Sequence, residues 1–445
     1  MNRLKRFWGN VRASFWFVPS VILALSIVLA LALIEVDSSM GGQWLARWPR
    51  LFGTSAEGAR GMLSTVAGSM MTVVGVTFSM ILVTLALASS QYTSRILRNF
   101  MRDRVTQVVL GIFAGIFTYC LIVLRTVRGG DEGAFVPALS VAISVLLAIG
   151  GIGSLIFFIH HIASSIQASS IIASVADETM RAVDRLFPGS LGHGQIDDAV
   201  GVSPPPEGKW QSVRADDNGY IQSVDNATLI RVAREQQTTV RMERGVGDFV
   251  VEATPLVSLA QEAVLSEAII AEMQAAYSID RHRTVEQDAA FGIRQIVDIA
   301  LRALSPGIND STTAAMCVDY LTAILARIAP LPLPSSHRFE DGELRVITIG
   351  PDFASLVAES FDEIRGSASG NVAIMLRMLD ALQTIGSLTH DAGRRRVLSE
   401  QLCCIAEVGA PSIPSSHDRA RFEERLMLVR VSLDHKHVPE QHAEP

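Results

Sequence analysis

The run SFWFVPSVILALSIVLALALI, Ser14–Ile34, contains no charged residue. A helix of about 20 such residues, rising 1.5 Å each, matches the hydrocarbon thickness of a bilayer. Three further runs meet the same length test. One falls within Gly61–Ser94 and is most apolar over 62–88, one covers Val105–Leu124, and one starts near Phe135 and reaches about Ile159. Lipid offers the backbone no hydrogen-bonding partner, so apolar runs of this length are expected to be helices. The first run is too long for a signal-peptide core and lacks a small-residue cleavage site. The expectation is a membrane α-helical fold over 1–165, with spans at 14–34, 62–88, 105–124 and 135–159. A cytoplasmic α+β region is expected to follow.

Charge divides the chain at the same place. Residues 1–165 carry 13 Arg+Lys against 6 Asp+Glu, whereas 166–445 carry 25 against 39. The part outside the spans is acidic, which argues against a nucleic-acid partner. Arg3, Lys5, Arg6 and Arg12 precede span 1, and Arg95, Arg98, Arg102 and Arg104 separate spans 2 and 3. The opposite loops hold Arg47, Arg50, Arg60, Arg125 and Arg128. The excess of basic residues on the first side is expected to place both termini of this multi-pass chain in the cytoplasm.

No Asp, Glu, Lys or Arg lies inside the four cores, which lowers the expectation of ion-coupled transport. What remains polar there is small. Span 2 carries Gly61, Ser64, Gly68, Ser69, Thr72, Gly75, Thr77 and Ser79, span 3 has Gly111 and Gly115, and span 4 has Gly150, Gly151 and Gly153. Such residues permit close helix packing, within one chain or in a homo-oligomer. The sharper reading has Ser64, Ser69, Thr72 and Ser79 lining a narrow pore. His160 and His161 end the fourth apolar stretch. Helical periodicity then continues to Phe187, so 166–187 is expected to prolong span 4 as one helix.

Pro188 to Gly208 reads as a linker, with Pro204, Pro205 and Pro206 in series. Residues 209–258 change to strand patterning, and GDFVVEATPL resembles the turn–strand–turn unit of biotinyl and lipoyl barrel domains, with Ala253 where those have glycine. A small β-barrel-like module is expected. No lysine occupies an attachment turn, so a carrier role is rejected. Residues 259–432 read mainly as helices, beginning with Leu259–Ser278, Thr284–Leu304 and Ser311–Ile328, and 433–445 reads as a disordered tail.

The most informative stretch is QDAAFGIRQIVDIALRALSPGINDSTTAAMCVDYL, Gln287–Leu321. Ile293, Ile296, Val297, Ala300, Leu301 and Leu304 form a core stripe. Thr284 and Gln287 have capping-box spacing. Arg294, Asp298 and Arg302 share another face and can pair. Pro306 must end the helix, and Asn309, Asp310 or Ser311 caps the next one. SPGINDSTTA, the preceding FGIRQIVDIALRAL and the four-span half together resemble a family of bacterial predicted membrane proteins, domain of unknown function 2254. The resemblance runs from the first span to about residue 430. It implies a four-span bacterial inner-membrane protein with a cytoplasmic domain, and no activity.

Two functional readings follow. One is an oligomeric pore gated by the cytoplasmic domain. The other is a membrane-anchored sensor or scaffold binding a small anion or a protein partner. In the second, the helix start at Asn309–Thr313 presents backbone N–H groups. Ser305, Gly307, Ser311, Thr312 and Thr313 lie beside them, with Arg294, Asp298 and Arg302 supplying charge. No catalytic constellation, metal-ligand spacing or cofactor motif is recognisable, and the four cysteines form no CxxC pair.

Overall fold

The computed structural model describes residues 16–39, 55–91, 103–129, 135–165, 167–186, 209–332, 336–340 and 342–434. The expected linker, the tail from 435, and Arg3, Lys5, Arg6, Arg12, Arg47, Arg50, Arg95, Arg98 and Arg102 lie outside them. Two units follow one another, divided between Gln167 and Ala168.

The first unit holds four helices long and apolar enough to cross a membrane: α1 (Phe17–Ser39), α2 (Ala56–Gln91), α3 (Arg104–Thr126) and α4 (Ala138–Ser165). They coincide with the four expected spans. Helix α3 is the most buried and packs against the other three. Its Gly111 and Gly115 seat α1, since a methyl group at Gly111 would lie 2.8 Å from Ile22 Cδ1 and 3.0 Å from Pro19 Cα, and one at Gly115 would overlap Ser26 Oγ. Small residues here let two backbones approach.

Polar bonds tie the ends of the bundle. Asp37, at the end of α1, accepts from Leu139 N (3.1 Å), Ser140 N (2.9 Å) and Ser140 Oγ (2.6 Å), so it caps α4 from another helix. Tyr119 Oη donates to the Ser140 carbonyl at 2.8 Å, and Arg60 reaches the Val127 carbonyl at 2.9 Å. At the other end, Asp103 caps α3 and meets His161 Nε2 at 2.9 Å.

Span 4 does not continue as one helix. Helix α4 ends at Ser165 and α5 (Ala168–Leu186) is a separate element. Ser164 and Ser165 donate their hydroxyls to the carbonyls of His160 (3.0 Å) and His161 (2.8 Å). Helix α5 belongs to the second unit and buries Ile171, Ile172, Val175, Ala176, Thr179, Ala182 and Val183 there.

The β region is not a barrel. Strands β1 (Trp210–Arg214), β2 (Gly219–Val224), β3 (Val240–Met242), β4 (Phe249–Val250), β5 (Pro255–Ala260), β6 (Tyr277–Asp280), β7 (His337–Glu340) and β8 (Glu343–Ile347) form two open sheets. One has the order β1-β5-β3-β8-β7 and the other β4-β2-β6. Among the described residues every strand pairing is antiparallel except β3 with β8. Short helices α6 (Asn226–Glu235) and α7 (Glu267–Ala275) complete this part, and Ile221, Leu229, Val240, Leu256, Leu259, Met273 and Val346 share its core. The stretch expected as the helix Leu259–Ser278 is therefore the end of β5, the short α7 and the start of β6. Strands β7 and β8 extend the larger sheet at its β3 edge from about 80 residues downstream of β5, a pairing that no local pattern announces.

Ala253 adopts φ 65°. That is the position where the biotinyl and lipoyl units carry glycine, and the left-handed region costs a residue with a Cβ about 1–2 kcal/mol. Glycine restores freedom in the unfolded chain, which offsets part of the gain. Ala253→Gly should therefore stabilise the chain by up to about 1 kcal/mol, read as a rise in midpoint by thermal denaturation in detergent. A lowered midpoint contradicts this account of the turn.

Helices α8 (Ala289–Ala303), α9 (Ser311–Ile328), α10 (Phe353–Ser367), α11 (Val372–Ser387), α12 (Ala392–Ser412) and α13 (Ser416–Asp434) make up the rest. Helix α8 is central, touching α5, α9 and α10. Phe291, Ile293, Ile296, Val297, Ile299, Ala300 and Ala303 are all buried on it. It starts later than the Thr284 capping box suggested. Asp288 is the cap, accepting from Phe291 N at 2.9 Å while holding Arg283 Nη2 at 2.8 Å. Gln287 turns away and accepts from Val224 N at 3.1 Å. Gly247, at φ 91°, lies so close that a Cβ there would stand 2.5 Å from Asp288 Oδ2.

Candidate functional site

Helix α2 has two unlike faces. Leu63, Ala67, Met70, Thr77 and Thr84 are buried within the bundle. Gly61, Thr65, Gly68, Thr72, Gly75 and Ser79 are exposed. These six recur at intervals of four and three residues, so at about 100° per residue they stay within roughly 40° of a single line along the helix. From Gly61 to Ser79 that line is about 27 Å long at 1.5 Å per residue, close to the full hydrocarbon thickness of about 30 Å. Ser64 and Ser69 are also exposed and flank the line.

Close approach to this face is unobstructed. A Cβ added at Gly61, Gly68 or Gly75 would meet no heavy atom within 4 Å. Thr65 Oγ1 donates to the Gly61 carbonyl (2.8 Å) and Thr72 Oγ1 to the Gly68 carbonyl (3.1 Å). The hydroxyl protons are thus satisfied within the helix, and oxygen lone pairs remain on the surface. All four residues expected to line a pore, Ser64, Ser69, Thr72 and Ser79, lie on the exposed side. Thr77, from the same stretch of sequence, lies on the opposite side and is buried.

The second candidate is the corner between α8 and α9. Helix α8 ends before Pro306, with Leu304 as C-cap. Ser305 Oγ donates to the Arg302 carbonyl at 2.7 Å, and Asn309 N to the Ser305 carbonyl at 2.9 Å. Asn309 takes φ 50°, a region that asparagine tolerates. Asp310 then caps α9. Its carboxylate accepts from Thr312 N (3.1 Å), Thr313 N (3.0 Å) and Thr313 Oγ1 (2.6 Å). Ser311 Oγ accepts from Asn371 Nδ2 at 2.8 Å, and Asn371 is itself the cap of α11. Gly307 faces open space.

The corner brings Ser305, Asn309, Asp310, Ser311, Thr312 and Thr313 together, but not Arg294. That side chain starts about 16 Å along the helix from Ser305. Its Nε donates to Asp298 Oδ1 at 2.8 Å, and its terminal nitrogens engage Glu363 and, at 3.5 Å, Glu359 on α10. Arg302 is exposed. The backbone donors of the α9 start are taken by the chain's own carboxylate.

The bonds from Thr313, side chain first and then backbone, hold the Asp310 carboxyl below the ordinary aspartate range. A depressed folded-state pKa means the unfolded chain takes up the proton first as pH falls. The Asp310 contribution is therefore complete near neutrality and lost from about pH 4 downward. Asp310→Ala should cost about 1 kcal/mol at pH 7, the usual cost of losing such a cap, and much less at pH 3. Denaturation midpoints of wild type and variant that stay equally far apart at both pH values contradict this.

The model of a family described as "Predicted membrane protein (DUF2254)" matches residues 12–384. The chain belongs to the DUF2254 family. It is 32% identical over 428 residues, 94% of its own length and 81% of theirs, to the uncharacterized proteins Mb1321c of Mycobacterium bovis and Rv1290c of Mycobacterium tuberculosis. No solved structure matches it. The matched DUF2254 region includes both the exposed α2 face and the α8–α9 corner. With four apolar helices, the chain is a predicted multi-pass membrane protein.

Sequence reasoning overlooked Thr65, which completes the α2 line. The signal was available as three successive small-xxx-small pairs, Gly61 with Thr65, Gly68 with Thr72, and Gly75 with Ser79. It also missed Asp37 as a cap, because the partner helix begins about 100 residues later.

Proposed function

We propose that this DUF2254 protein assembles with further copies of itself into a conduit through the membrane, with the glycine–hydroxyl face of α2 toward the neighbouring subunits and the central path. One observation carries this reading. A small, hydroxyl-bearing line runs the thickness of the hydrocarbon core on the side of α2 that the subunit's own packing leaves open. Lipid gains little from such a face, whereas a neighbouring helix gains close backbone contact. Charge-free span cores favour a passive path over ion-coupled transport.

The second unit is the natural regulator. Only Ile166 and Gln167 separate α4 from α5, and α5 is embedded in that unit, so its rearrangement acts on the end of a span. Reconstitution of the full chain in liposomes should give ion conductance. Bilayers that remain silent across voltage, membrane tension and pH contradict the conduit.

A further inference from the structure

Helices α3 and α4 enclose a groove of about 520 Å³ on the surface of the first unit. Val105, Val108, Gly150, Gly153 and Phe157 line it, and Arg104 stands at one end. Between Ile112 and Arg104 the groove follows α3 for about 12 Å. A Cβ added at Gly150 or Gly153 would meet no heavy atom within 4 Å, so the missing side chains leave the space open.

Arg104 is exposed and makes no ion pair among the described residues. Asp103, its neighbour in sequence, forms no ion pair with it. That carboxylate is committed to Val105 N, Thr106 N, Thr106 Oγ1 and His161 Nε2. His161 stacks on Phe157, with ring centroids 6.1 Å apart, which fixes the aromatic wall of the groove. A charge at the mouth of an apolar channel, at the end of a span, has the polarity of a phospholipid with its phosphate outward and its chain inward.

We infer that this groove binds an anionic phospholipid, its phosphate on Arg104 and one acyl chain between α3 and α4 along Gly150 and Gly153. This goes beyond the conduit reading, which concerns the exposed face of α2, and neither depends on the other.

The test uses the full chain in detergent, with phosphatidylglycerol or phosphatidylcholine of identical chains added and retained lipid counted by native mass spectrometry. Wild type should retain phosphatidylglycerol in preference to phosphatidylcholine. Arg104→Gln should weaken phosphatidylglycerol retention about fivefold, the ratio equivalent to about 1 kcal/mol for one basic side chain at an anionic surface. Gly153→Phe should fill the groove and lower retention of both lipids, whereas Leu146→Phe, at an exposed position on α4 that does not line the groove, should change neither. If circular dichroism shows Gly153→Phe to be misfolded, Gly150→Leu and Arg104→Gln decide. Equal retention of the two lipids by wild type, or retention unaffected by the groove-filling and arginine variants, overturns the proposal. So does a changed subunit count in Gly153→Phe with lipid retention intact, because the groove is then a contact between copies.

Discussion

Gly292→Val is expected to destabilise the second unit by about 3 kcal/mol, the upper range for overpacking a filled core. Gly292 lies on the buried face of α8, and a Cβ there would overlap the Thr179 side chain of α5. Thr179 has no easy retreat. It is fully buried, and its hydroxyl donates to the Val175 carbonyl at 2.7 Å. Denaturation of the full chain followed by circular dichroism measures the loss. Gly292→Ala should be milder, and Thr179→Ala in the same chain should recover part of its cost, because residues in contact do not act additively. If the single costs simply sum, the close docking of α5 on α8 is wrong.

The second large effect falls on assembly. Gly68→Leu with Gly75→Leu adds two bulky side chains to the exposed α2 line, where each new Cβ meets open space in the subunit. The subunit should keep its helical content. The oligomer and its conductance should be lost, since leucine holds neighbouring backbones apart. Size-exclusion chromatography with light scattering separates the outcomes. An unchanged assembly mass removes α2 from the interface, and a collapsed subunit shows the face to be internal.

Much of this architecture can be read from local pattern. The four spans are apolar runs whose length has one solution in lipid, and the structure places α1–α4 on them. The Gly111–Gly115 pair and the α8 core stripe are short-range signals, as is the proline that ends α8. The misses are long-range or competitive. Strand β8 joins β3 across about 100 residues and carries β7 at the edge, so the larger sheet stays open where the 209–258 pattern suggested closure. Periodicity carried span 4 onward to Phe187, yet α4 ends at Ser165 and α5 starts anew at Ala168. At the α8–α9 corner Ser305 and Asn309 to Thr313 sit together while Arg294 is held by α10. Whether Asp310 serves its own backbone or leaves those N–H groups to a ligand is a matter of rotamer, which spacing does not encode.

The most direct test of the conduit is thiol accessibility during conduction. In a Cys403→Ser, Cys404→Ser background, which leaves only the buried Cys120 and Cys317, single cysteines are placed at Thr72 on the α2 line and at Leu146 on α4, which is 62% exposed in the subunit. The protein is reconstituted in liposomes and a charged, membrane-impermeant methanethiosulfonate is added while conductance is recorded. The account predicts that Thr72→Cys is modified and its conductance falls sharply, while Leu146→Cys continues to conduct unchanged. Equal insensitivity of both, or block of Leu146→Cys alone, contradicts a path lined by the glycine–hydroxyl face of α2.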